Sequence, residues 1–147
     1  MRNLKRWMRL VGGFYLFLGV LNTPPVVAAR MSMQYPFLEL GSDHMAVKAI
    51  NDLWFVFGVE TAVIGLMLLL GSASPLPNKI LAQTVVLLEV VRTLLDAYWI
   101  SRGYYDTAPY IIWIVIHLAI ILSGWRLLQQ AKGSPDMEAA ESSWQPG

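Results

Sequence analysis

Residues 79–101 read KILAQTVVLLEVVRTLLDAYWIS. About 20 apolar residues suffice for a helix to cross a bilayer. This stretch has that length, with Glu89, Arg92 and Asp96 set into it. At about 100° per residue, Glu89, Arg92, Thr93 and Asp96 share one helical face roughly 100° wide. Glu89 and Arg92 form an i,i+3 pair and Arg92 and Asp96 an i,i+4 pair, so both carboxylates are expected to bracket the guanidinium. A lone arginine near the bilayer centre costs at least about 3 kcal/mol, and two carboxylate partners offset much of that. Charges at such depth face a protein interior or a wet cavity, which makes them the first place to look for function.

Three further blocks flank this one. Residues 7–27 are led by Arg2, Lys5, Arg6 and Arg9 and broken near their end by Pro24-Pro25; residues 50–71 and 108–129 complete the set. Each is close to bilayer length and apolar around most of its circumference, as a lipid-facing helix should be. The ten-residue alternation of a membrane barrel is absent, so the spacing predicts an all-α fold, a four-helix transmembrane bundle. The composition agrees. Of 147 residues, 56% are apolar and 14% charged, against about 45–50% and about 25% in soluble domains. A net charge of +1 with dispersed basic residues gives no nucleic-acid footprint. With no cysteine there is no disulfide, thiolate metal site or cysteine nucleophile.

The connections differ in character. Gly71-Ser-Ala-Ser-Pro-Leu-Pro-Asn78 is a tight turn that sets its flanking helices antiparallel, and Arg102-Gly-Tyr-Tyr-Asp-Thr107 is another. The outer connection, residues 28–49, carries Tyr35-Pro-Phe, Leu38 and Leu40 and is too apolar for a free linker. Ser42-Asp43 is a good helix start, which lets the second helix begin early. The first 132 residues thus form the membrane domain, and the polar tail 133–147 is expected to be disordered. No internal repeat is present.

Seven basic residues, Arg2, Lys5, Arg6, Arg9, Lys79, Arg126 and Lys132, fall on one side of four spans. Three, Arg30, Lys48 and Arg102, fall on the other, which places both termini in the cytoplasm. Tyr98, Trp99, Tyr104, Tyr105, Tyr110 and Trp113 gather at the outer end, while Trp7 and Trp125 stand as anchors at the inner one. The first block also resembles a secretory signal with Val27-Ala28-Ala29 as a cleavage site. Its apolar run is long for a signal core, and retention as a span is the expectation.

Two more ionisable groups lie inside spans, Glu60 and His117. Counted at 1.5 Å per residue from the outer boundary, Glu60 lies about 15 Å deep, Glu89 about 18 Å, and Arg92 and His117 about 13–14 Å. Asp96 is shallower, at about 7–8 Å. Glu60, Glu89, Arg92 and His117 therefore reach a similar level, with Asp96 towards the outside. Two carboxylates, one guanidinium and one imidazole there imply a shared proton or one neutral acid. No metal is expected: a bundle di-iron site needs two Glu-x-x-His pairs, and Arg92 repels cations. Haem with two histidines would need His44, which lies in the outer loop, beside His117. No serine is placed to work with His117 as a nucleophile. Gly12, Gly13 and Gly19 on the first helix, and Gly58 and Gly65 on the second, form small stripes that permit close contact, within the bundle or in a dimer.

The run Asp52-Leu-Trp54-Phe-Val-Phe57-Gly58-Val-Glu60 resembles the second-helix motif of the BphX-like family of small bacterial membrane proteins. Glu89-Val-Val-Arg92-Thr-Leu-Leu-Asp96-Ala-Tyr98, with Arg102-Gly103-Tyr104 after it, is similar to that family's third helix. His117 with Gly124, and Lys5-Arg6-Trp7-Met8-Arg9 leading into Gly12 and Tyr15, fit as well. The resemblance spans residues 4–132 and implies a four-span, multi-pass protein of the bacterial inner membrane. It implies no reaction. A likeness to DoxX-like four-helix membrane proteins is topological only.

The leading expectation is a non-enzymatic protein that binds or passes a small amphipathic molecule, such as a quinone or aromatic compound. Arg92 would attract an oxygen or anion, Glu60 and Glu89 would set charge, and His117 would exchange a proton. Asp96 belongs to the same proton-linked set, and no resident cofactor is expected. Besides the lipid bilayer and such a ligand, a second copy or another membrane subunit is an expected partner. The first alternative is an accessory or scaffold subunit whose charges only pair helices. The second is a redox or isomerase enzyme using Glu60, Glu89 and His117 as acid and base.

Overall fold

The computed structural model describes residues 2–34, 44–103 and 107–132. Within them the chain is all helical: α1 (Arg2–Leu21), α2 (Pro24–Gln34), α3 (Met45–Gly71), α4 (Lys79–Arg102) and α5 (Thr107–Lys132). The all-α expectation holds, with one helix more than the four blocks imply. The extra helix comes from the prolines. Pro24 and Pro25 cannot donate to the turn before them, but their fixed φ suits a first helical turn. They therefore open α2 instead of closing α1, and the two helices are bent by 73° at the break.

Side chains finish α1 at that break. Asn22 Nδ2 donates to the Leu18 carbonyl at 2.8 Å and Thr23 Oγ1 to the Val20 carbonyl, also at 2.8 Å. The connection at residues 28–49 is correspondingly shorter than the sequence suggests, since residues 28–34 and 45–49 are helical. Ser42-Asp43, the expected start of the second span, lies outside the described residues. His44 serves at the start of α3: its Nδ1 accepts from the Ala46 amide at 3.2 Å and its carbonyl from the Lys48 amide at 3.1 Å. Gly103 ends α4 in a left-handed conformation, φ 64°, with its amide bonded to the Ile100 carbonyl. That conformation favours a residue without Cβ.

The chain divides into two compact units, one of residues 10–70 and one of residues 1–9 and 71–147. In the first, α1 packs on α3 through glycines. A Cβ on Gly12 would stand 2.8 Å from the Gly65 carbonyl oxygen, and one on Gly19 would stand 2.6 Å from Ala62 Cβ. One on Gly58 would meet Asn22 Cβ at 2.5 Å, so the backbones approach more closely than any larger residue allows. Both small stripes are thus engaged inside one chain, except for Gly13, whose Cβ position meets nothing within 4 Å. Tyr15 and Thr61 are fully buried in this unit. Val27 and Val47 form a small core beside Ile50 and Trp54, and the Arg30 guanidinium lies 5.1 Å from the Trp54 ring centroid. Arg30 also donates to Asn22 Oδ1.

In the second unit α4 packs along α5, with Ala82, Val85, Val86, Ile120 and Leu128 buried. The first turns of α1 join them through Leu4, Trp7 and Met8. Trp7 is no interface anchor. It is 6% exposed, and its indole Nε1 donates to Ser123 Oγ at 2.9 Å. A Cβ on Gly124 would come within 2.6 Å of the Trp7 ring, so the glycine makes room for the indole. Trp125, the other expected inner anchor, is exposed.

Among the described residues two helices are long and apolar enough to cross a membrane, α3 and α5 (Met45–Gly71 and Thr107–Ala131), and the bent α1–α2 pair makes a third if taken as one span. α4 is not among them by composition, because Glu89, Arg92 and Asp96 interrupt its apolar run.

Candidate functional site

Four ionisable side chains of α4 and α5, those of Glu89, Arg92, Asp96 and His117, meet in one place. Glu89 lies on the buried face of α4 with Ala82, Val85 and Val86, one helical turn apart in steps, and is itself 1% exposed. Arg92, three residues on, returns over the same face and donates Nη1 to Glu89 Oε1 at 2.7 Å. From α5, His117 Nδ1 bonds the second carboxylate oxygen, Glu89 Oε2. The other ring nitrogen, His117 Nε2, lies 3.3 Å from Asp96 Oδ2. That last pair is within ion-pair distance, but its angle does not make a hydrogen bond. Thr93 Oγ1 donates to the Glu89 carbonyl at 2.8 Å, which keeps its hydroxyl on the helix backbone. Trp113, one turn before His117, stacks on the imidazole with ring centroids 6.0 Å apart and planes 24° apart.

The result is a line of alternating groups, guanidinium, carboxylate, imidazole, carboxylate. Its chemistry follows from the donor count. The hydrogen bond between His117 Nδ1 and Glu89 Oε2 takes one proton, whereas the contact of Nε2 with Asp96 makes no hydrogen bond and leaves that nitrogen's protonation open to either form. With the imidazolium, the four groups sum to zero charge; with a neutral ring and both acids ionised they carry one net negative charge. The middle of the line is the most sheltered part. At its ends the Arg92 and Asp96 side chains are 14% and 17% exposed, so both can be reached by another polar group.

Glu89, Arg92, Asp96 and His117 are therefore brought together, and Asp96, expected as the second partner of Arg92, stands against His117. Glu60 is in the other compact unit, on α3, with its side chain exposed. Trp113 was assigned from sequence to an outer aromatic girdle, and its contact with His117 was missed. The i,i+4 spacing of the two residues was the available signal. Of that girdle, Tyr98 and Trp99 are exposed, Tyr110 is half-buried, and Tyr104 and Tyr105 lie outside the described residues. Among the described residues no three His, Asp or Glu side chains converge in a way that would hold a metal ion.

The chain is similar to two proteins named as uncharacterised BphX-like proteins, one from Burkholderia cepacia and one from Paraburkholderia xenovorans (strain LB400). Each is 27% identical over 131 residues, covering 87% of this chain and 94% of the relative. No solved structure matches the chain significantly. The model of the BphX-like family matches residues 1–133, which takes in every described helix, and the chain belongs to that family.

Proposed function

We propose that this protein is a multi-pass component of the bacterial inner membrane in which the α4–α5 charge line binds the polar end of a small amphipathic molecule. The four spans would be α1, α3, α4 and α5, with both termini cytoplasmic, as the excess of basic residues at that end supports. α2 would then lie near the outer surface. α4 is carried across the membrane by pairing its charges with one another and with α5.

The observation that carries the reading is the two-sided tie of Glu89, to Arg92 and to His117, within a buried helix pair. It sets an imidazole between two carboxylates. A carbonyl or phenol oxygen meeting Arg92 would find a formal positive charge, and the imidazole could exchange a proton with it. Those are the needs of a quinone or an oxygenated aromatic compound. A second reading, in which the line only joins α4 to α5, is favoured by the fact that the four side chains find partners within that pair.

Purification in mild detergent, with mass spectrometry of the small molecules that remain bound, separates the two readings. Binding predicts a reproducible amphipathic species, displaced by a short-chain benzoquinone and lost from Arg92→Leu and His117→Ala proteins that remain helical and monodisperse. If both variants are folded and bind the benzoquinone as the parent does, the binding role is refuted. If both fail to fold while Asp96→Asn folds and binds nothing, the pairing role stands alone.

A further inference from the structure

Residues 2–9, RNLKRWMR, form the first turns of α1 and carry four cations. At about 100° per residue, Arg2, Lys5, Arg6 and Arg9 fall within one face roughly 100° wide. Leu4, Trp7 and Met8 fall on the opposite side and are buried. The buried side is the one that packs within its compact unit, where Trp7 reaches Ser123 on α5 and Met8 fills the space beside Gly71. The basic face is turned the other way, with Arg2, Arg6 and Arg9 exposed and Lys5 half-buried.

This face is electrostatically unfinished. Each of its four cations has a like-charged neighbour three or four residues away, and such pairs repel. All four also stand near the end of the helix where its dipole favours anions. Among the described residues no carboxylate meets any of them. Arg9 is nevertheless held in place: its Nε donates at 3.3 Å to Oγ of Ser72, a buried serine in the turn after α3. A guanidinium fixed through Nε presents its two Nη groups as a fork, and such a fork suits a phosphate. Among the described residues nothing accepts a hydrogen bond from those Nη groups.

The sequence indicates what kind of anion fits. No charged side chain occurs between Arg9 and Arg30, and on the basic face α1 continues with Gly13, Leu16 and Val20. Charge giving way to hydrocarbon along one helical line matches a phospholipid, phosphate first and acyl chain after it. A nucleic acid or an acidic soluble protein has no such profile.

We propose that the basic face at the start of α1 binds the phosphate of an anionic phospholipid, with Arg9, steadied by Ser72, as a principal contact. The inference rests on the membrane reading of the chain and not on ligand binding by α4 and α5.

Native mass spectrometry of the full chain tests it. The protein is stripped in mild detergent and offered equal amounts of phosphatidylglycerol and phosphatidylcholine with the same acyl chains. It should retain the anionic lipid at least several-fold over the neutral one. Arg6→Gln and Arg9→Gln should each lower that ratio about fivefold, the scale of one basic residue beside an anionic surface. Ser72→Ala should lower it in the parent and not in Arg9→Gln, because the serine acts through Arg9. Arg126→Gln is the control: Arg126 is exposed on α5, about 200° round that helix from Gly124, which faces Trp7. It should leave the ratio nearly unchanged.

Equal retention of the two lipids by the parent overturns the proposal. So does a ratio that survives the Arg6→Gln/Arg9→Gln double variant, or one that falls as far with Arg126→Gln. If selectivity emerges only when Asp136, Glu138 and Glu141 are changed to amides, the chain's own acidic tail is the occupant and the proposal fails. Should the arginine variants not fold, the preference must still fall with Ser72→Ala, or the proposal fails. A chain that stays soluble without detergent refutes the membrane reading itself, an outcome distinct from indifference to lipid charge.

Discussion

Glu89 keeps a carboxylate 1% exposed because donors reach both of its oxygens, Arg92 on one and His117 on the other. Removing the acid leaves a guanidinium and an imidazole facing a hole, and breaking a buried pair from one side costs about 3–5 kcal/mol. Glu89→Ala should therefore lower thermal stability sharply in detergent. Asp96→Asn, at the half-open end, should cost no more than about 1 kcal/mol. Circular dichroism melts of the two variants check the order, and equal losses would mean that Glu89 is not the keystone. At this scale the sequence was legible in part. The spacing of Glu89 and Arg92 gives their contact directly, and depth counting leads from α4 to His117. The direction of Glu60 was not legible. Rise along a helix sets the level of a residue, but where a helix is apolar nearly all round, its rotation is set by packing. Here Gly58 and Gly65 turn that face of α3 to α1, and Glu60 points outward.

Among the elements, α1 and α3 depend on the absence of side-chain atoms. A methyl on Gly12 would press on the Gly65 carbonyl at 2.8 Å and on Leu69, while one on Gly13 would meet nothing. Gly12→Ala should thus force the helices apart and lower the melting temperature. Gly13→Ala should be neutral or stabilising by up to about 1 kcal/mol, since alanine is the better helix former. The adjacent pair is its own control: similar effects at both positions would contradict the packing of α1 on α3. Helix lengths were largely legible in the apolar blocks, and the ends at Leu21, Gly71 and Arg102 follow from prolines and glycines. By sequence the first block runs through Pro24-Pro25 to Val27 as one broken span, when proline can equally start a new helix. Nothing in hydropathy distinguishes these roles; what decides is that Asn22 and Thr23 satisfy the last carbonyls of α1 with their side chains.

For the whole molecule, orientation is the property that the basic residues determine and a fusion experiment reads. A fluorescent protein attached after Lys132 should fold and fluoresce in the bacterial cytoplasm, and alkaline phosphatase inserted at residues 35–43 should be active outside it. The opposite pattern would invert the assignment. Family membership over residues 1–133 was legible from the motifs of α3 and α4, whereas the division into two units was not, because it depends on which long-range contacts close. One such contact has a consequence for biogenesis. Trp7 and Ser123 are 116 residues apart in sequence, yet they share a hydrogen bond. At about 5–20 residues per second, the ribosome delivers the serine some 6–23 s after the tryptophan. Through that interval the Trp7 indole lacks its seat beside Gly124. The first turns of α1, made before α5, are thus among the last parts to be secured, and a chain whose synthesis stops before α5 leaves the Trp7 indole without its Ser123 partner.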